Sequence, residues 1–235
     1  MLPLGDDNPA TLKPWVTIGI IVLCVLLYLW QHLWLTHPET RAVELAFGLV
    51  PAVITGAALP PDAAWLPPFA TLVTSMFLHL GLIHLAGNVL FLWVFGNNVE
   101  DAMGHVRFAA FYLVCGVLAA AVHVFANPES AVPASGASGA VSGVLGAYVL
   151  LYPRARVLLA LPLGFVNLHF GRWPALWVLV GWVLLQIVVG SLAALRADDI
   201  GVLLGTAAAH VGGFIAGLLL VTVFKRSDVP LWRRY

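Results

Sequence analysis

The sequence predicts an all-α membrane protein: a bundle of six transmembrane helices with a large interfacial loop between the first and the second. Two observations carry this reading. Of 235 residues, 61% are hydrophobic and only 9% are charged, whereas a soluble domain carries about a quarter charged residues. The apolar residues also gather into six runs of helical length, at 15–35, 84–98, 106–125, 138–152, 175–195 and 201–224. A crossing needs about 20 residues, fewer where the helix starts below the surface. Formal net charge is zero and no basic stripe is present, so nucleic acid is not expected as a partner.

Taken in order, segment 1–14 ("MLPLGDDNPATLKP") is acidic and broken by proline, unlike a cleavable signal. The first run follows it. Some 50 residues then separate the first run from the second, too apolar for a floppy linker and too rich in Pro and Gly to cross. A partly helical loop lying on the membrane fits them. The second and fourth runs are short, and both begin with polar residues. Between the fourth and fifth runs, residues 153–174 form another apolar piece interrupted by proline and glycine. The tail is 225–235. No internal repeat divides the chain, so 1–235 reads as a single domain. Cys24 and Cys115 lie inside apolar runs without metal-ligand spacing and read as small core residues. Trp30, Trp34, Trp173, Trp177 and Trp232 read as interfacial anchors. His32, His37, His105, His123 and His169 read as interfacial or packing residues.

Six crossings put both termini on one side. That side receives Lys13, Arg107, Arg154, Arg156, Arg172, Lys225, Arg226, Arg233 and Arg234, and the other receives only Arg41 and Arg196, out of 11 basic residues. The excess of Lys and Arg marks the cytoplasmic side. The expectation is a multi-pass protein of a bacterial plasma (inner) membrane with both termini cytoplasmic.

This topology sets the depth of each unusual residue. His84 and Asn88 open the second run, Ser138 opens the fourth, and His210 lies about two turns into the sixth. At 1.5 Å of rise per residue all four fall in the outer half of the bilayer. His84 and Asn88 are four apart and share a helix face. Gly136 and Gly139 flank Ser138, and Gly205, Ala209, Gly213 and Gly217 form a small-residue stripe around His210. Such stripes let helices approach closely, which by itself is packing. Imidazoles inside a membrane are a functional signal by default, and here two share a level with an amide and a serine.

Competing chemistries lack their residues. There is no His-Glu-x-x-His for a metalloprotease, and Glu100 and Asp101, the only acids near a crossing, sit at its cytoplasmic end. Lys13 and Lys225 flank the crossings rather than entering them, so a serine–lysine pair is absent. No metal or cofactor is expected. What remains is a serine with histidine as its base.

"GASG" at 136–139, "HLAGN" at 84–88 and "GTAAAH" at 205–210, with the surrounding "SMFLHLGLIHLAGNVLFLWVFGNNVED" that includes His79, resemble the rhomboid family of intramembrane serine proteases. The resemblance covers about 47–224. It implies a rhomboid-like six-helix fold with the first loop in the outer leaflet, and a serine endopeptidase acting on transmembrane protein substrates within the lipid bilayer. It further implies Ser138 as nucleophile and His210 as general base, with His84, Asn88 and the Ser138 backbone N–H as oxyanion hole. The fifth loop and fifth helix would be the gate for a substrate segment. The chain departs from the family pattern at two places. Ala70-Thr71 stands where members often carry Trp-Arg, and Ser142 stands where some carry an aromatic that packs on the catalytic imidazole. Ser142 is thereby a rival nucleophile, one turn deeper than Ser138. A catalytically inactive rhomboid-like protein that binds transmembrane helices is the alternative function. A transporter is disfavoured, because no inverted repeat is visible.

Overall fold

Long apolar runs free of internal proline become helices, because a helix satisfies its own backbone polar groups where water is scarce. The computed structural model of the chain describes residues 2–57, 66–163, 166–194 and 200–232. In order, they form β1 (Leu2–Asp6), α1 (Trp15–Leu33), α2 (His37–Phe47), α3 (Pro51–Thr55), α4 (Thr71–Thr74) and α5 (Leu82–Phe91). A π-helical turn, Leu92–Gly96, leads into α6 (Asn97–Met103), followed by α7 (His105–Ala126) and α8 (Ser138–Leu151). Then come β2 (Arg156–Leu163), β3 (Val166–Pro174), α9 (Ala175–Ala194) and α10 (Ile200–Phe224). Leu195, Arg196, Arg233 and Arg234, invoked above for span limits and orientation, lie outside the described residues.

Four helical runs among the described residues are long and apolar enough to cross a membrane: Trp15–Leu33, Leu82–Met103, His105–Ala126 and Gly205–Phe224. Ser138–Leu151 and Ala175–Val188 are shorter apolar helices. The long helices carry bare apolar side chains: Ile83 of α5 is 90% exposed, and Phe125 and Val106 of α7 are 88% and 84% exposed. Exposed apolar side chains on helices of this length and hydropathy suit hydrocarbon. The chain is an integral membrane protein, mostly helical. All five tryptophans read as anchors are exposed.

The all-α reading is corrected by a three-stranded antiparallel sheet, ordered β1-β2-β3. β1 pairs with β2 from Leu2 opposite Ala160 to Asp6 opposite Val157, and β2 pairs with β3 from Arg156 opposite Pro174 to Leu163 opposite Val166. The amino-terminal segment is therefore part of a sheet, and its β2 partners Val157 and Ala160 are fully buried. Pro162 and Gly164 made this stretch of sequence read as a broken loop. Pro162 stands in β2, and Gly171 takes a positive φ in β3 beside a register shift at Leu158/Ala160.

A second correction concerns the second span, expected to end at Asn98. The helix continues to Met103 because its polar residues are buried with partners. The Glu100 carboxylate, fully buried, accepts from Val16 N–H (2.9 Å), Thr17 N–H (2.8 Å) and the Thr17 hydroxyl (2.7 Å), and meets His105 Nδ1 at 2.6 Å. It thus satisfies N–H groups of the first turn of α1, which have no intrahelical acceptor, with a charge of the favourable sign for that helix end. Asp101 accepts from Leu12 N–H (2.7 Å) and the Thr11 hydroxyl (2.9 Å), and Asn98 Nδ2 donates to Asp6 (2.8 Å). Tyr148 of α8 donates its hydroxyl proton to the same Asp6 carboxylate. One end of the bundle is stitched to the sheet by α6.

The other packing feature is the approach of α10 to α8. A Cβ on Gly213 would overlap the carbonyl oxygen of Gly139, and one on Gly217 would overlap that of Gly143. On the other side of α8, Gly139 faces Ala119 and Gly143 faces Cys115 of α7. The Gly213 and Gly217 part of the small-residue stripe is a backbone-to-backbone contact, whereas Gly205 faces the Asn127 side chain; Cys24 and Cys115 are free and buried.

Two outcomes follow from this packing. Gly213→Ala forces α10 off α8 and should lower the thermal unfolding midpoint in detergent, by about 1–3 kcal/mol of stability. Gly181→Ala on α9, where an added Cβ meets nothing within 4 Å, should leave it unchanged. For Asp6, burial raises the carboxyl pKa to about 6, the Tyr148 hydrogen bond works against this, and Asp7 adds to it. The folded chain therefore holds this proton where the unfolded chain has lost it. Stability from this group is greatest below pH ~4 and falls as pH rises to about 6, by about 1–2 kcal/mol once partial exposure is allowed for. Unfolding midpoints measured from pH 4 to 7 should show the decline, and Asp6→Asn should flatten it.

Candidate functional site

Ser138 is the first residue of α8, and the chain reaches it through a turn that only glycine permits. Gly136 has φ +137°, and a Cβ there would run into the His84 ring. Its N–H donates to the Ser75 carbonyl (2.9 Å), which ties the turn to the segment just after α4. The leading N–H groups of α8 have no acceptor within the helix, and they open beside the serine.

The close contact of α8 and α10 places His210 directly opposite. Its Nε2 lies 2.8 Å from Ser138 Oγ. Its Nδ1 lies 2.9 Å from Gln186 Oε1 on α9, a partner that nothing in the reading above anticipated. Trp182, one turn earlier on α9, lies against the same imidazole with ring centroids 5.8 Å apart, and touches Phe91 of α5 at 5.9 Å. The orientation of His210, left without an aromatic by Ser142, is thus supported from a different helix. Ser142 itself is fully buried, and its hydroxyl donates to the Ser138 carbonyl at 2.6 Å.

Ser138, His210 and His84 line one cavity of about 280 Å³, together with Met76, Gly116 and Ala119. His123, read from sequence as packing, lines it too. Its signal was available: it is an imidazole inside an apolar run. Asn88 is placed differently. It is buried, its Nδ2 lies 3.1 Å from His79 Nε2, and it borders a separate small cleft with His79 and Ala137. His79 is fully buried and stacks edge-on with His84 at 5.4 Å. Its Nε2 also faces the Ala137 N–H at 3.5 Å, so the His79 ring links Asn88 to the turn before Ser138. Among the described residues no group of three His, Cys, Asp or Glu side chains could hold a metal.

Comparison with known proteins gives the family of the chain. The Rhomboid domain family matches residues 67–227. The Rhomboid protease GluP of Bacillus subtilis is 38% identical over 107 residues, 43% of this chain and 20% of that protein. RHOMBOID-like protein 5 of Arabidopsis thaliana is 29% identical over 149 residues, covering 63% and 42%. Rhomboid protein 1, mitochondrial, of Saccharomyces cerevisiae is 29% identical over 213 residues, covering 82% and 57%. The chain spans from a fifth to somewhat over half of the length of these relatives. They come from bacterial, plant and mitochondrial settings, so the expected bacterial plasma membrane does not follow from them. The chain belongs to the rhomboid family.

Proposed function

We propose that this rhomboid-family chain is an intramembrane serine protease, hydrolysing peptide bonds in or near transmembrane segments of membrane-protein substrates through a Ser138–His210 dyad. The observation that supports it is the 2.8 Å hydrogen bond between Ser138 Oγ and His210 Nε2 at the wall of a cavity. On this reading Oγ attacks the scissile carbonyl while His210 Nε2 takes its proton. The tetrahedral oxyanion is met by the Ser138 N–H and by His84. The intermediate collapses as His210 returns the proton to the leaving amine. A water then repeats the cycle on the acyl-enzyme, with His210 again as base.

In this proposal the six helical runs are six crossings, with α8 starting beneath the surface at a water-filled dent. The described residues of the first loop, 36–57 and 66–77, lie along the outer leaflet, and both termini face the cytoplasm with the basic residues. Ser142 is unsuited as nucleophile, because its hydroxyl proton is already committed to a carbonyl inside the bundle.

Ser138→Ala and His210→Ala should each abolish cleavage of a transmembrane substrate and labelling by a fluorophosphonate, while the protein stays folded in detergent. Ser142→Ala should keep both activities, and cleavage should survive strong chelators. A wild-type protein that binds a transmembrane peptide but neither cleaves nor labels would establish the non-catalytic, helix-binding reading instead.

The oxyanion hole is tested by turnover per labelled site. Loss of one donor lowers turnover by about 10²–10³-fold, in kcat more than in KM because the charge exists only in the transition state. His84, which lines the cavity, should show this in His84→Ala. Asn88→Ala decides whether its amide reaches the oxyanion or only holds His79: a normal kcat with an earlier melting midpoint assigns Asn88 to support of His79.

A further inference from the structure

Within the described part of α9, Gln186 is the only amide or ionisable side chain, standing in "VLLQIVV" where leucine would satisfy the membrane. It is half-buried, and its Oε1 lies 2.9 Å from His210 Nδ1. An amide oxygen can only accept, so Nδ1 carries the proton and donates it. The lone pair then falls on Nε2, the atom 2.8 Å from Ser138 Oγ. In the other tautomer Nε2–H would point at the hydroxyl and could not receive its proton. Which nitrogen is protonated is set by the hydrogen bond the other one makes.

We propose that Gln186 is a positioning residue that holds His210 in its Nδ1–H tautomer, so that Nε2 is presented to Ser138 as a base while α9 lies against the ring; this rests on the proteolytic reading above. Among the described residues no Asp, Glu, Lys or Arg lines the cavity, and the titratable groups that face the imidazole there are His84 from α5 and His123 from α7. A neutral acceptor does the orienting work of a carboxylate without placing an anion in a low-dielectric site, where an unpaired charge is costly. Trp182 lies one turn away on the same face of α9 and flanks the same ring, so both supports of the imidazole come from one helix.

The test uses the full chain in detergent or lipid nanodiscs, with Gln186→Leu and Gln186→Glu beside wild type and Ser138→Ala. Fluorophosphonate labelling rates and cleavage are followed from pH 5 to 9. Gln186→Leu should label about 10–100-fold more slowly, within the contribution of a general base, with kcat reduced and KM unchanged. Gln186→Glu should recover most of the rate at neutral pH and move the acidic limb of the profile upward, since an anion at Nδ1 favours the imidazolium. The tautomer itself is read without turnover, from ¹⁵N shifts of the imidazole assigned by difference with His210→Ala. Wild type should show the Nδ1–H form and Gln186→Leu a mixture. Labelling of Gln186→Leu at the wild-type rate would overturn the proposal. So would equal impairment of both variants without movement of the limb, which marks a packing role. Failure of wild type to label, with the Nδ1–H tautomer present, would instead sink the proteolytic reading and leave Gln186 as the group that sets the tautomer.

Discussion

The close approach of α10 to α8 is the constraint on which the site depends. Gly213 and Gly217 put the backbone of one helix against the carbonyls of Gly139 and Gly143 on the other. Only at that separation can a serine on one helix hydrogen-bond an imidazole on its neighbour, because the two side chains together reach only a few ångströms. Lipid gives helices no hydrophobic reason to associate, so close van der Waals packing between small residues has to hold the pair. The same stripe that stabilises the bundle therefore sets the Ser138–His210 distance. A third layer continues it: Cys115 and Ala119 of α7 fill the opposite side of α8, which leaves the start of α8 pinned between two helices. Ser138 is held by its helix rather than by a loop.

The far end of the bundle solves a different problem, that of charge. Glu100 and Asp101 look like solvated flank residues, yet they are buried and bonded to the segment before α1 and to its first turn. Each carboxylate meets backbone N–H groups that would otherwise lack acceptors, so helix end and acid satisfy one another. Asn98 and Tyr148 carry the linkage to Asp6 and hence to β1. The sheet, α1, α6 and α8 are thus joined by polar bonds at one end, while glycine packing joins α8 to α10 along its length. Neither device needs a large apolar core of the soluble kind.

Local pattern made the helices and the polar residues of the site legible. The runs around Trp15, His105, Ser138 and Ala175 begin within a residue or so of their observed starts, since apolar length and composition alone specify them. Ser138, His84 and His210 stood out because polar groups are expensive in such runs, and the structure brings these three around one cavity. The sheet was illegible because its pairing joins Leu2 to Ala160, and no local pattern reports a partner so distant in sequence. Gln186 was missed for the opposite reason. It was visible as a lone amide in an apolar run, but its meaning needs the rotation of α9 relative to α10. Asn88 shows the limit of face-sharing: residues four apart lie on one helix face, yet His84 turns to the cavity and Asn88 to His79.

The support of His210 shows how a fold can relocate a requirement. An aromatic on α8, one turn after the serine, would steady the imidazole from the helix that carries Ser138. Here that position is Ser142, spent on a backbone carbonyl, and both steadying groups, Trp182 and Gln186, come from α9. The orientation of the imidazole then depends on where α9 lies, whereas the Ser138–His210 spacing depends on α8 and α10. If a substrate helix enters by displacing α9, it withdraws the amide from Nδ1 and frees the imidazole to rotate or change tautomer. Chemistry would resume only once α9 returns against the ring. On the proteolytic proposal, entry and proton transfer would thereby be separated by the position of one helix, a coupling that an aromatic carried on α8 could not provide.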